Sequence, residues 1–137
     1  MKKVLLAVLF LVLLLASACG ADGESDAESG RATVVSITAE EAKEKLDSDD
    51  SIILLDVRTP EEYREGHIPG AKLLPVKDIE AKAETEIPEK SATYIVYCRS
   101  GSRSAAASAQ LVELGYENIY DLGGINDWPY DQVTGGE

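Results

Sequence analysis

Tyr94-Ile95-Val96-Tyr97-Cys98-Arg99-Ser100-Gly101-Ser102-Arg103, running on through Ser104 to Leu114, is the stretch that decides the fold. Four apolar residues form a strand, and the alanine-rich run behind the loop forms a helix. A strand that ends in a cysteine and turns straight into a helix aims successive backbone N–H groups at the sulfur. The helix N-terminus and two arginines favour an anion there, so the thiolate gains on the thiol. Such settings lower a cysteine pKa from about 8.5 to roughly 3.5–7.5. Cys98 is therefore the candidate nucleophile.

Outward from this unit, strands and helices alternate. Val34 to Ile37 reads as a short strand, and Thr38 with Glu41 reads as a capping box opening a helix to about Leu46. Ile52 to Leu55 is an uninterrupted apolar run, as expected for a strand covered on both faces, and Asp56 ends it. Thr59-Pro60-Glu61-Glu62 repeats the capping signature with proline at the first helical position, and Gly66 is the stop. His67 to Ala71 is a turn, Lys72 to Leu74 a short strand, and residues 76–83 a short helix. Thr93 to Tyr97 is the next central strand, Ser102 to Leu114 the helix ending at Gly115, and Asn118 to Asp121 the last strand. Gly123-Gly124 then predicts a tight turn before Ile125 to Trp128. The alternation predicts an α/β fold with a mostly parallel central sheet and helices on both faces. Working sites of such sheets lie beyond the carboxyl ends of the strands, where Asp56 and Cys98 both fall.

The ends read differently. Met1-Lys2-Lys3, the apolar run Val4 to Leu15 and the small residues Ala16 to Ala18 form a signal peptide, residues 1–18. The run is too short for an ordinary spanning helix, which needs about 20 apolar residues. Leu15-Ala16-Ser17-Ala18-Cys19-Gly20 resembles the lipobox of bacterial lipoproteins, which implies lipidation of Cys19, an extracytoplasmic location and a lipid anchor to a bacterial membrane. Plain secretion and an uncleaved anchor are the alternatives. Gly20 to Thr33 is rich in Gly, Ser, Ala, Asp and Glu, so residues 19–32 read as the lipidated cysteine and a flexible tether. Residues 33–133 are left for one compact domain. The formal charge is −12 and grows more negative once Lys2 and Lys3 are removed, which argues against nucleic acid. The Arg99/Arg103 loop is a local positive exception suited to a small anion. With one histidine and, once Cys19 is lipidated, one free cysteine, a metal site lacks soft ligands, and no cofactor motif is present.

Three segments carry a family resemblance. Leu54-Leu55-Asp56-Val57-Arg58 with Glu62-Tyr63 and Gly66-His67-Ile68-Pro69-Gly70-Ala71 resembles the front signature of the rhodanese homology domain. Tyr97-Cys98-Arg99-Ser100-Gly101-Ser102-Arg103-Ser104 resembles its active-site loop, and Leu122-Gly123-Gly124-Ile125 followed by Trp128 its closing signature. The match departs at Lys72 and in the tail Pro129 to Glu137, neither of which touches the loop. The resemblance implies a rhodanese-like fold and sulfur transfer through a Cys98 persulfide. The donor would be a small anion such as thiosulfate, and the acceptor a thiol, cyanide or a protein. Arg99, Ser100, Gly101, Ser102 and Arg103 would line the substrate site, and the protein would act as a monomer.

Neighbouring residues have plainer roles. Arg99 is expected to be exposed and to face substrate, whereas Arg103 is read equally as a substrate contact or a loop clamp. Asp56 and Arg58 are expected to satisfy one another structurally, and His67 to hold its turn as it does in the family. A phosphatase or arsenate reductase needs five residues between its cysteine and arginine, and here four separate Cys98 from Arg103. A non-catalytic or partner-dedicated sulfur-carrier module is the remaining alternative.

Overall fold

The computed structural model describes residues 32–136. The expected signal peptide, Cys19 and nearly all of the tether lie outside the described residues. Five strands, β1 (Val34–Ser36), β2 (Ile53–Asp56), β3 (Lys72–Leu73), β4 (Thr93–Cys98) and β5 (Asn118–Gly124), form one sheet in the order β1-β5-β4-β2-β3. Every pairing is parallel. Helices α1 (Ala39–Ser48), α2 (Pro60–Glu65), α3 (Ile79–Glu86) and α4 (Ser102–Glu113) complete the fold. The expected capping boxes are present at Thr38/Glu41 and Thr59/Glu62. None of the described helices is long and apolar enough to cross a membrane.

β4 is the central strand, and its side chains divide with period two. Tyr94, Val96 and Cys98 join a core with Leu55, Val57, Ile79, Ala107 and Leu111, on the face covered by α3 and α4. Ile95 and Tyr97 join Leu54, Ala42, Tyr63 and Trp128 on the face covered by α1 and α2. Ile95 and Val96 are fully buried, a burial worth about 1.5–3 kcal/mol for each side chain. The sheet is thus the expected α/β sheet, all parallel, with helices on both faces.

Two elements differ from the sequence reading. The predicted 76–83 helix is a 3-10 turn, Val76–Asp78, running into α3, because Pro75 precedes it and the Asp78 N–H bonds back to the Pro75 carbonyl. The last strand does not stop at Asp121. It continues to Gly124 past a register shift, with Val96 opposite Asp121 but Tyr97 opposite Gly123. Leu122 is the extra residue, Gly123 takes a φ of 84°, and its N–H is held by the Asp121 carboxylate at 2.9 Å. A bulge kinks the strand without ending its pairing, so the glycines bend β5 under the loop after β4.

Candidate active site

Cys98 is the last residue of β4 and is fully buried beneath the loop that leads into α4. The Gly101 N–H donates to its Sγ at 3.0 Å. Burial pushes the Cys98 thiol up, but hydrogen bonds outweigh it and the net direction is down: the Ser104 N–H first, then the Gly101 N–H, the Ser104 hydroxyl and the Ser100 N–H. The Ser104 hydroxyl has one proton and can also donate it to the Gly101 carbonyl, 3.0 Å away. The loop therefore curls its donors around one sulfur, with the Gly101 N–H in direct hydrogen-bond contact. Gly101, with a φ of 109°, supplies the left-handed residue that lets the chain make that curl.

Arg99, Ser100 and Ser102 are exposed along the loop. Arg103 is held otherwise: its guanidinium meets Glu62 of α2 two-pronged, Nη1–Oε2 at 2.7 Å and Nη2–Oε1 at 2.9 Å. Of its two roles, this is the geometry of a loop clamp, because the planar fork is taken by a carboxylate. The same Glu62 accepts the Thr59 N–H in the cap of α2, so one side chain ties the loop to that helix. Hydrogen bonds from Arg103 hold the Glu62 carboxyl down to about 2, against burial, with Thr59 adding a further lowering contact. A depressed carboxylate pKa stabilises the fold fully above the ordinary value, about 4.3, and that stability is lost as pH falls toward 2. For a pair at the molecular rim the contribution is about 1 kcal/mol after solvent screening. Glu62→Gln is expected to unfold at lower urea and to turn over more slowly, and its stability gap from the parent protein should close during acid titration. A gap that persists undiminished at the acid end would refute the clamp.

Asp56 and Arg58 sit at the end of β2. Asp56 is fully buried and Arg58 nearly so. The Asp56 carboxylate accepts from the Arg58 N–H at 3.0 Å, from Nε at 3.0 and 3.1 Å, from Nη2 at 2.6 Å, and from the Tyr97 hydroxyl at 2.7 Å. Arg58 also donates to the Gly66 carbonyl at 2.7 Å. Burial first, then the neighbouring Asp56, pushes the Tyr97 phenol strongly up, so it stays protonated and donates. Strand alternation puts Tyr97 on the face opposite Cys98, so this network supports the floor of the site from behind. His67 is buried and stacked on Tyr63 with ring centroids 3.7 Å apart, and its Nδ1–H donates to the Tyr63 carbonyl at 2.8 Å. Its backbone pairs with Val133 in both directions, at 2.8 and 2.9 Å.

Four residues have roles that the signature segments contain without assigning. Ser104 and Tyr97 stand in the loop signature and Glu62 in the front one, and the structure sets them beside the Cys98 sulfur, the Asp56 carboxylate and the Arg103 fork respectively. The fourth is Gly124, where an added Cβ would stand 2.4 Å from the Arg99 carbonyl oxygen and 2.8 Å from the Ser100 Cα. Both obstacles are backbone of the loop, so Gly124→Ala must push the loop off the sulfur. We expect at least a tenfold loss of turnover together with about 1–3 kcal/mol of destabilisation. An unchanged rate would show that the loop is not held from below by β5. Gly124 lies opposite Cys98 only because the register shifts at Leu122, and the alternation of side chains along β5 does not announce that shift.

A cleft of about 380 Å³ adjoins the loop at Arg99, the one residue of the 98–103 loop in its lining. Arg99, Asn126 and Gln132 line it together with Arg58, Glu62 and Glu65. The Asn126 N–H donates to the Arg99 carbonyl at 3.2 Å and pins the first loop residue. Among the described residues no group of three or more His, Cys, Asp or Glu side chains could hold a metal ion.

The family model for the rhodanese-like domain matches residues 38–130. The thiosulfate sulfurtransferase PspE of Escherichia coli is 37% identical over 81 residues, 59% of this chain and 78% of that protein. A sulfurtransferase of Allochromatium vinosum is 40% identical over 93 residues, 67% of this chain and 85% of that protein. A structure described as a rhodanese with anions from E. coli superposes with a TM-score of 0.58 at 36% identity, covering 61% of this chain and 99% of that one. Fold, loop and relatives agree: the chain belongs to the rhodanese-like family of single-domain sulfurtransferases.

Proposed function

We propose that the protein moves sulfane sulfur from a small anionic donor such as thiosulfate to a thiophilic acceptor through a persulfide on Cys98. The observation that carries this reading is the Gly101 N–H 3.0 Å from Cys98 Sγ at the start of α4. The Cys98 thiolate attacks the outer sulfur of thiosulfate. The donor's S–S bond breaks, and its electron pair leaves with sulfite. The outer sulfur, now bonded to Cys98, carries the negative charge. Donors that held the thiolate are then placed to hold the terminal sulfur, as an oxyanion hole holds oxygen. A thiol, cyanide or protein nucleophile takes that sulfur and returns the Cys98 thiolate, so the cycle needs no metal and no separate base.

Arg99, exposed at the cleft, attracts and orients the donor anion, while the small, exposed Ser100 and Ser102 leave the approach to the loop open and polar. The Arg103 fork is engaged with Glu62, so it is not presented to a tetrahedral oxyanion as a phosphatase arginine must be. We further propose that the protein acts as a monomer, exported and tethered to a bacterial membrane through lipidated Cys19, a reading supported by residues 1–32 of the sequence.

The test is intact-protein mass before and after excess thiosulfate. The expected result is a gain of one sulfur that cyanide reverses. A protein that takes no sulfur from thiosulfate or any small persulfide, yet stays folded, would favour the partner-dedicated carrier instead.

A further inference from the structure

A second concavity, about 690 Å³, opens between the carboxyl end of α1, the start of β2, the 67–70 turn and the segment after Trp128. Its lining is divided chemically. Leu46, Ile52, Leu54, Ile68 and Trp128 supply apolar surface, with the half-buried Leu46 and Ile52 partly open to solvent. Asp47, Asp49, Asp50 and Asp131 stand around it, against the single cation Lys43. Lys43 is already paired with Asp47. The Asp49 carboxylate is held down by Ser51, first through its hydroxyl and then its N–H, and so stays ionised. The Asp50 and Asp131 carboxylates are exposed and make no ion pair or hydrogen bond among the described residues, while the Asp131 carbonyl accepts the Trp128 Nε1–H at 3.4 Å. The carbonyl end of the ten-residue α1 opens on the same rim and deepens the negative potential.

We propose that this groove docks a protein partner through a basic segment carrying a large apolar residue between lysines or arginines. The floor gains from burying the apolar side chain, and the rim gains from the flanking cations. Neither half alone explains the surface. An anionic lipid surface or a nucleic acid would be repelled by the same four carboxylates. Trp128 lines both this groove and the cleft beside Arg99, so a protein held here stands next to the sulfur site.

Trp128 is the one tryptophan of the chain, which makes the groove self-reporting. The experiment titrates the purified protein with the hexapeptide acetyl-Lys-Lys-Leu-Phe-Lys-Lys-amide and follows tryptophan emission. Two control peptides replace the lysines by glutamates or the Leu-Phe pair by Ser-Ser. The expected result is a saturable shift with the first peptide only, weakened about fivefold in Asp50→Asn/Asp131→Asn and weakened further by added salt. The double variant lies outside the sulfur machinery, so its mass gain with thiosulfate should equal that of the parent. Absence of a saturable shift overturns the proposal, as does equal binding of either control peptide or indifference to the double substitution. A protein that sediments as a dimer with Trp128 already shielded would assign the groove to a second copy of the chain and overturn it too.

Discussion

Cys98→Ser should leave the domain folded and remove sulfur transfer, lowering turnover by about 10⁴-fold or more, as loss of a covalent nucleophile does. The hydroxyl oxygen takes the place of a sulfur already surrounded by donors, the Gly101 N–H at 3.0 Å among them, so it is hydrogen-bonded and not stranded. Stability should therefore stay within about 1 kcal/mol of the parent. Chemistry is another matter. A serine hydroxyl is not ionised near neutral pH and cannot form a persulfide, so neither donor attack nor sulfur storage survives. Intact mass should show no gained sulfur after thiosulfate, while urea unfolding stays close to that of the parent. Residual turnover at more than a per cent of the parent rate would refute Cys98 as the carrier.

Asp56→Ala should produce the largest stability loss, about 3–5 kcal/mol, because it leaves the Arg58 guanidinium buried without its counter-charge. Arg58 is only 5% exposed, and the Tyr97 hydroxyl loses its acceptor at the same time. Native domains hold about 5–15 kcal/mol in total, so the variant should unfold at much lower urea. Activity per folded molecule should fall far less, since Asp56 and Tyr97 lie on the sheet face opposite Cys98. Measuring the rate against the folded fraction separates the two. Lost turnover in a variant of parental stability would place Asp56 in the chemistry and overturn the structural reading.

The contrast between these two substitutions shows how much the sequence carries. Tyr94 to Tyr97 are four bulky apolar residues with no turn former, and such a run finds enough burial only as a central strand. The capping boxes at Thr38 and Thr59 were legible because both partners lie within one helical turn. The thiolate-holding loop was legible for the same reason: Cys98 and its donors lie within seven residues of each other, so local backbone geometry creates the site.

Contacts between residues far apart in the chain were decided elsewhere. Arg103 and Glu62 are separated by 41 residues, as are Tyr97 and Asp56, and only the adjacency of β2 and β4 brings each pair together. From the sequence, Arg103 served substrate and scaffold equally well; packing α2 against the loop turned its fork toward Glu62. Gly124 read as a turn residue, because nothing local reveals that β5 bulges at Leu122 and slides its backbone beneath Arg99 and Ser100. The sequence alone determined the α/β class, the strand that ends in Cys98 and the loop that curls donors around its sulfur. Tertiary structure alone decided that Arg103 is clamped, and what holds the loop from below, because those depend on strand order and on contacts that no local pattern encodes.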